Sequence, residues 1–203
     1  MEYQGLTEDD LANVRALNTA WLELQERVAG VRLSTGRRER LAAAPFLLFT
    51  FREQDEALWR RLLADRRQQD LLSEPRAAPA EYQPLQATGL AFLWELSRRN
   101  PYVARLVCAA SIGWCERIAS VTLVRVLDSA KRCETIEWRF EPETREYRRL
   151  LRRGSGAPRD LRKSAQISLL QSMLTTGESA RYGRLPAAAC HMAIPSREVA
   201  DKL

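Results

Sequence analysis

The sequence predicts an all-α protein, a compact bundle of about six to eight helices around a central hydrophobic helix at about residues 101–130. Apolar side chains recur at every third or fourth position through most of the chain, which is the spacing of one helix face. Residue types that begin and end helices stand at the ends of these stretches. The composition, 45% hydrophobic and 29% charged, is that of an ordinary globular protein.

The first helix is the most clearly marked. Thr7 and Asp10 have the spacing of a capping box, and Gly30 is suited to the left-handed turn that ends a helix. The predicted core face between them contains six large side chains at steps of three and four: Leu11, Val14, Leu17, Trp21, Leu24 and Val28. Its length is short for a coiled-coil seam, which favours the core face of a bundle helix.

Shorter elements follow. Ser34 or Thr35 caps a second helix that ends near Pro45, and the apolar run 46–49 is predicted to be a helical turn entering a longer helix. That longer helix, residues 53–72, has a narrow apolar seam between charged flanks and is placed on the surface. Residues 73–84, rich in proline and alanine, are a loop or linker within a single domain, residues 1–203.

The middle of the chain is the most apolar. A helix over residues 85–99 stops at Asn100, and Asn100 with Pro101 predicts the start of the central helix, which is apolar on nearly all faces. A β-hairpin at 120–140 is the alternative, because β-branched residues precede an alternation of apolar and polar residues. Beyond it, we expect helices at 141–153 and from Pro158 to about Thr176, the second stopped by Gly177.

Few residues carry catalytic or metal-binding chemistry. The only histidine is His191, and its neighbour Cys190 would need unusual loop geometry to form a dyad with it. The four cysteines have no closely spaced pair, which argues against a zinc site, and we interpret them as reduced, buried thiols. No glycine-rich phosphate loop is present. We therefore predict no catalytic residue, no metal and no cofactor.

The charge is concentrated in one segment. Residues 145–163 hold eight basic residues against Glu146 and Asp160, an excess of six that equals the whole net charge of +6. Such a segment can bind phosphate or an acidic partner, or it can be a solvated helix face in a protein that uses arginine in place of lysine. Trp59, Arg60 and Arg61 add a second candidate surface, because tryptophan and arginine are enriched at binding hot spots. The basic candidates are Arg145, Arg148, Arg149, Arg152, Arg153, Arg159, Arg162 and Lys163.

Three hypotheses for function follow. The first is a protein that binds another protein, as a regulator, adaptor or assembly factor, with a homo-oligomer as one form of this. The second is a nucleic-acid-binding protein that uses residues 145–163. The third is an enzyme with a pair of acidic residues that the sequence does not reveal.

The sequence also gives an expected location. Arginines interrupt the apolar stretch 103–127, and the N-terminus lacks the pattern of a secretory signal, so we predict a cytoplasmic protein that does not enter a membrane. All but three of the 32 basic residues are arginine, a usage that suggests a bacterial source with a GC-rich genome.

Overall fold

The computed structural model describes residues 5–30, 32–64, 79–132, 135–140, 144–156 and 158–182, and the side chains of α9 as far as Thr175. Within these ranges it confirms the predicted all-α class, with a pair of two-residue strands as its only sheet. The elements are α1 (Glu8–Ala29), α2 (Thr35–Ala42), β1 (Phe49–Thr50), α3 (Glu56–Leu63), α4 (Gln83–Arg99), α5 (Pro101–Cys108), α6 (Ile112–Ser120), α7 (Leu123–Arg132), β2 (Glu137–Trp138), α8 (Arg145–Arg149), a π-helix (Leu150–Gly154) and α9 (Arg159–Tyr182).

Both ends of α1 are as predicted. The Thr7 hydroxyl accepts a hydrogen bond from the Asp10 amide at 3.1 Å, and the Asp10 carboxylate accepts one from the Thr7 amide at 2.9 Å. Gly30 ends the helix in the left-handed conformation. Burial raises the pKa of Asp10, but hydrogen bonds from Arg99 and Thr7 outweigh it and hold the pKa below its usual value. The ion pair with Arg99 joins the start of α1 to the end of α4, so these helices run antiparallel.

The prediction of a helical turn at residues 46–49 is wrong, because this segment is a bent, non-helical stretch that leads into β1. The buried Asn18 side chain of α1 supplies the partners that a helix would otherwise provide. Its amide nitrogen donates to the Phe46 carbonyl at 2.9 Å, and its oxygen accepts from the Leu48 amide at 2.9 Å. The same nitrogen donates to the Ala42 carbonyl at 3.3 Å, so one side chain fixes the path from α2 to β1.

The central hydrophobic helix predicted at 101–130 is three short helices, α5, α6 and α7. Asn100 caps α5 as predicted, accepting from the amides of Tyr102 and Val103. The helix ends at Ala109, whose φ of 52° is left-handed. Ser111 then caps α6 through the Trp114 amide, and Val121 ends it in an extended conformation. Two breaks, at residues 109–111 and 121–122, therefore divide the apolar stretch.

The helix at the centre of the bundle is α4, which packs against α1, α5, α6 and α7. Its buried residues include Leu90, Leu93 and Leu96, and Gly89 lets a core ring lie against the helix backbone. Because α4 begins at Gln83, the loop or linker predicted at 73–84 ends two residues earlier than expected, and its residues 73–78 lie outside the described part. The predicted helix 53–72 is described as α3 only, since residues 65–72 also lie outside.

The alternative β-hairpin at 120–140 is not formed, because residues 123–132 are helical. The alternation around Trp138 does mark a strand, but β2 pairs antiparallel with β1, with Phe49 opposite Trp138 and Thr50 opposite Glu137. Trp138 also packs edge-on against Trp21 at 5.3 Å between ring centroids. The partner of β2 is therefore nearly 90 residues away in the sequence, and the periodicity of a segment does not indicate which distant segment it pairs with.

The last helices differ from the prediction at their ends. The element predicted at 141–153 is α8, capped by Thr144, followed directly by the π-helix; residues 141–143 lie outside the described part. Helix α9 continues through Gly177 to Tyr182, so the predicted stop at Gly177 is wrong. Among the described residues, none of the helices has both the length and the apolar character needed to span a bilayer.

Two glycines in helices allow a matched stability test. A Cβ at Gly89 would lie 2.6 Å from the ring of Phe51, which is fully buried and has no space to retreat, whereas a Cβ at Gly113 in α6 would meet nothing within 4 Å. We expect Gly89→Ala to lower the free energy of unfolding by about 1–3 kcal/mol through overpacking. Gly113→Ala should raise it by up to about 1 kcal/mol, because alanine favours the helix. Urea denaturation measures both; a stabilising Gly89→Ala would contradict the described packing.

Candidate interaction surfaces

The basic residues of α8 and the π-helix lie on one face of a continuous helical segment. Arg145, Arg148, Arg152 and Arg153 are exposed, and Arg149 is half-buried. The opposite face turns inward through three residues, Tyr147, Leu150 and Gly154, of which Leu150 and Gly154 are buried and Tyr147 is half-buried. The outward and inward residues alternate at steps of one, three and four, so the arginines line the solvent side of a helix whose other side is anchored.

The start of α9 packs against the end of the π-helix. Gln166 donates to the Gly154 carbonyl at 3.0 Å, and Arg162 donates to the Gly156 carbonyl at 2.7 Å. From α2, Arg40 donates to the Ser155 carbonyl at 2.8 Å and Arg37 to the Ser155 hydroxyl at 3.0 Å. Three of these bonds satisfy carbonyls at or just beyond the end of a helix, where such groups lack partners within the helix. The bonds of Gln166 and Arg162 also bring the two halves of the predicted basic segment together.

We call six exposed residues the basic ridge: Arg145, Arg148, Arg152, Arg153, Arg159 and Lys163. Arg149 and Arg162 are half-buried within the same segment and add their charge to it. The aromatic residue of the segment is not available for stacking, because Tyr147 packs edge-on against Trp138 at 5.9 Å between ring centroids. The ridge is therefore a surface of cations without an aromatic platform.

The prediction that Trp59 forms part of a binding surface is wrong. It is fully buried, packs edge-on against Trp114 of α6 at 5.2 Å between ring centroids, and donates from its indole nitrogen to the Phe51 carbonyl at 3.1 Å. Arg60 and Arg61 are exposed as predicted, but without an exposed tryptophan beside them. The narrow apolar seam of α3 is a core face, since α7 packs against α3 and Trp114 of α6 packs on Trp59.

A groove that the sequence did not indicate runs between α1 and α4. It encloses about 700 Å³ and has apolar walls with polar residues at both ends. The sequence signal was a second stripe on each helix, made of small side chains at helical spacing, which the larger core stripe obscured. The lining residues of α1 are Asn13, Ala16, Leu17, Ala20, Leu24 and Arg27, and α4 contributes Pro84, Leu85, Thr88, Ala91, Phe92, Trp94 and Glu95, with Glu81 and Leu123 beside them.

The groove does not hold a catalytic pair of acids. Its carboxylates are Glu81, just before α4, and Glu95, near the end of α4. Fourteen residues at 1.5 Å each place them about 21 Å apart along the helix, whereas paired catalytic carboxylates lie about 5–9.5 Å apart. The buried Glu53 is engaged by Arg139 at 3.4 Å and has an exposed fraction of 1%. Neither the groove nor Glu53 therefore supplies the close pair of acidic residues that the enzyme hypothesis requires.

The described cysteines are buried thiols without a reactive environment. Cys108 ends α5, where its thiol donates to the Ala104 carbonyl at 3.0 Å, and Cys115 lies in α6. Burial raises the pKa of Cys108 well above its usual value, and the nearby Cys115 thiol raises it further, so the thiol stays protonated. In the described ranges, histidine, cysteine and acidic side chains form no group of three that would hold a metal ion.

Comparisons with known proteins give no match: no family model, no curated protein and no solved structure is detectably similar to this chain.

Proposed function

We propose that this protein binds another protein, as a regulator, adaptor or assembly factor, by holding an amphipathic helix of the partner in the groove between α1 and α4. The groove is the observation that carries the proposal, because a helix laid into an apolar groove is a recurring mode of protein recognition. Small side chains on both walls, such as Ala16, Ala20 and Ala91, let the backbone of a third helix approach closely.

The length of the groove fits a helix of about four turns. The lining face of α1 extends from Asn13 to Arg27, about 21 Å at 1.5 Å per residue. Leu123, at the start of α7, lines one end of the groove, and Arg27, near the end of α1, lines the other.

The charges at the two ends differ, which favours one orientation of the bound helix. Glu95 lies at the end formed by the start of α1, and it forms no ion pair with another described residue. At the opposite end Arg27 and Glu81 carry both signs. A partner helix with a basic side chain opposite Glu95 and an apolar stripe along the alanines would complement this arrangement.

The proposal includes the cytoplasm of a bacterium as the place of action. Free thiols at Cys108 and Cys115 support it, because reduced cysteines are typical of that compartment. A second copy of this chain is the competing occupant of the groove, and its capture would assign a homo-oligomer instead.

A photo-cross-linking experiment tests the groove. We would place a benzoylphenylalanine at Thr88, an exposed lining residue, and irradiate the protein in extracts of cells that produce it. We expect a defined cross-linked product whose mass identifies one partner. Ala20→Glu should reduce its yield by at least about tenfold, because an unpaired charge in an apolar interface costs well over 1 kcal/mol.

Ala12→Glu is the matched control, since Ala12 is exposed on the same helix but does not line the groove. It should leave the yield unchanged. Equal loss from both variants, or products that are diffuse and insensitive to Ala20→Glu, would refute binding in the groove. A product of twice the mass of the chain would show that a second copy occupies it.

A further inference from the structure

We infer that the basic ridge is a second, independent binding site, and that its ligand is the phosphate backbone of a nucleic-acid duplex. The ridge belongs to α8, the π-helix and the start of α9, whereas the groove belongs to α1 and α4. The inference therefore does not depend on what the groove binds.

The spacing of the cations matches a polyanion. From Arg145 to Arg153 the helical segment is about 12 Å long at 1.5 Å per residue, and a duplex presents about seven phosphate charges over that length. Arg159 and Lys163 extend the positive surface along the first turns of α9, which hydrogen bonds at Gly154 and Gly156 hold against the π-helix. Several phosphates therefore lie within reach of separate cations at once.

The chemistry of the ridge favours phosphate over an acidic protein. Arginine is enriched at protein interfaces together with aromatic residues, around a centre that is depleted of other charged residues. Among the described residues, the face from Arg145 to Arg153 has no exposed large apolar side chain, and in the whole segment only Leu161 is one. A surface of arginines without an apolar centre suits a ligand that is bound through its charges.

The lack of an exposed aromatic side chain on the ridge favours a duplex over a single strand. Single strands are held by aromatic side chains on which successive bases stack. The segment's tyrosine, Tyr147, is half-buried and packed on Trp138, so it offers no such platform. Duplex backbones need only cations and hydrogen-bond donors, which the arginines supply.

Two further features single out this segment. Its net charge of six leaves the other residues of the chain electrically balanced, so the field that attracts a polyanion originates here. In addition, the ridge contains a π-helix, a rare conformation that occurs frequently at functional sites. Arg152 and Arg153 both lie in this π-helix and both are exposed.

A salt titration tests the inference. The full chain would be titrated against a fluorescent DNA duplex of arbitrary sequence, about 24 base pairs long, between about 50 and 200 mM salt. The variant Arg145→Gln/Arg152→Gln/Arg153→Gln/Arg159→Gln removes four exposed cations. We expect it to weaken binding at least about tenfold at the lowest salt, and to make the slope of log affinity against log salt less negative by about 3 to 4.

The control variant loses the same number of positive charges, but at positions outside the basic ridge. Arg15→Gln/Arg32→Gln/Arg60→Gln/Lys131→Gln neutralises four exposed cations that lie outside the ridge, and it should retain the slope. Equal effects of the two variants would show attraction by net charge alone and overturn the site. Binding of polyglutamate in place of the duplex would assign an acidic protein instead, and failure to bind either would also overturn the inference. An RNA duplex in parallel establishes which duplex binds more tightly.

Discussion

Replacing Arg139 by methionine should destabilise the protein more than any other single change described for it, by about 3–5 kcal/mol. The guanidinium of Arg139 is 7% exposed and donates to three backbone carbonyls, those of Leu47 at 2.8 Å, Cys108 at 2.7 Å and Phe49 at 2.6 Å. Methionine leaves these acceptors buried without donors. It also leaves the buried carboxylate of Glu53 without its cation.

Removing the charge of Glu53 as well separates the cost of the unpaired carboxylate from the cost of the unsatisfied carbonyls. In the double variant Arg139→Met/Glu53→Gln the uncompensated charge is gone, so we expect it to regain part of the lost stability, whereas the carbonyls stay unsatisfied. Arg60→Met, at an exposed position, should change the free energy of unfolding by less than about 0.5 kcal/mol. Chemical denaturation measures all three. A loss below about 1 kcal/mol for Arg139→Met would contradict the buried network.

Asn18→Leu should have the next largest effect, a loss of about 2–4 kcal/mol in the free energy of unfolding. Leucine has a similar size, but it removes the donor to the Phe46 carbonyl and the acceptor for the Leu48 amide, and each buried group left unpaired costs about 1–3 kcal/mol. The change is read from the midpoint of urea unfolding at constant slope.

Asn13→Ala is the comparison for Asn18, because Asn13 is exposed on the same helix. It should remain within about 0.5 kcal/mol of the unaltered protein. If Asn18→Leu were as mild as Asn13→Ala, the hydrogen bonds of Asn18 would not determine the path of residues 42–48.

Most of the helices could be predicted because their signals are local. Thr7 with Asp10, Gly30, and Asn100 with Pro101 mark ends that depend only on neighbouring residues, and the structure confirms them. The division of residues 101–132 was missed for a physical reason. Ser111 and Thr122 are competent caps of a type that favours helix ends, but the unbroken apolar periodicity on both sides outweighed this local signal.

The site was predicted less well, because surfaces depend on packing. The basic segment was identified from its charge, yet only the bonds of Gln166 to Gly154 and of Arg162 to Gly156 show that its two halves adjoin. Trp59 was misassigned because nothing in a single helix says which stripe a neighbouring helix will cover. The groove forms only where α1 and α4 pack against each other, so the sequence of neither helix alone predicts it.

The pairing of β1 with β2 has a consequence for how the chain assembles. Phe49 and Trp138 close a loop of about 90 residues that contains α3 to α7, and closing a flexible loop of that length costs about 4 kcal/mol of chain entropy. The pairing of two residues alone repays little of this cost. Arg139, directly after β2, adds its hydrogen bonds to the carbonyls of Leu47 and Phe49, so the loop is held closed mainly by this side chain and by the packing of the enclosed helices. Because these contacts are far apart in sequence, we expect the chain to fold more slowly than a bundle held by local contacts alone.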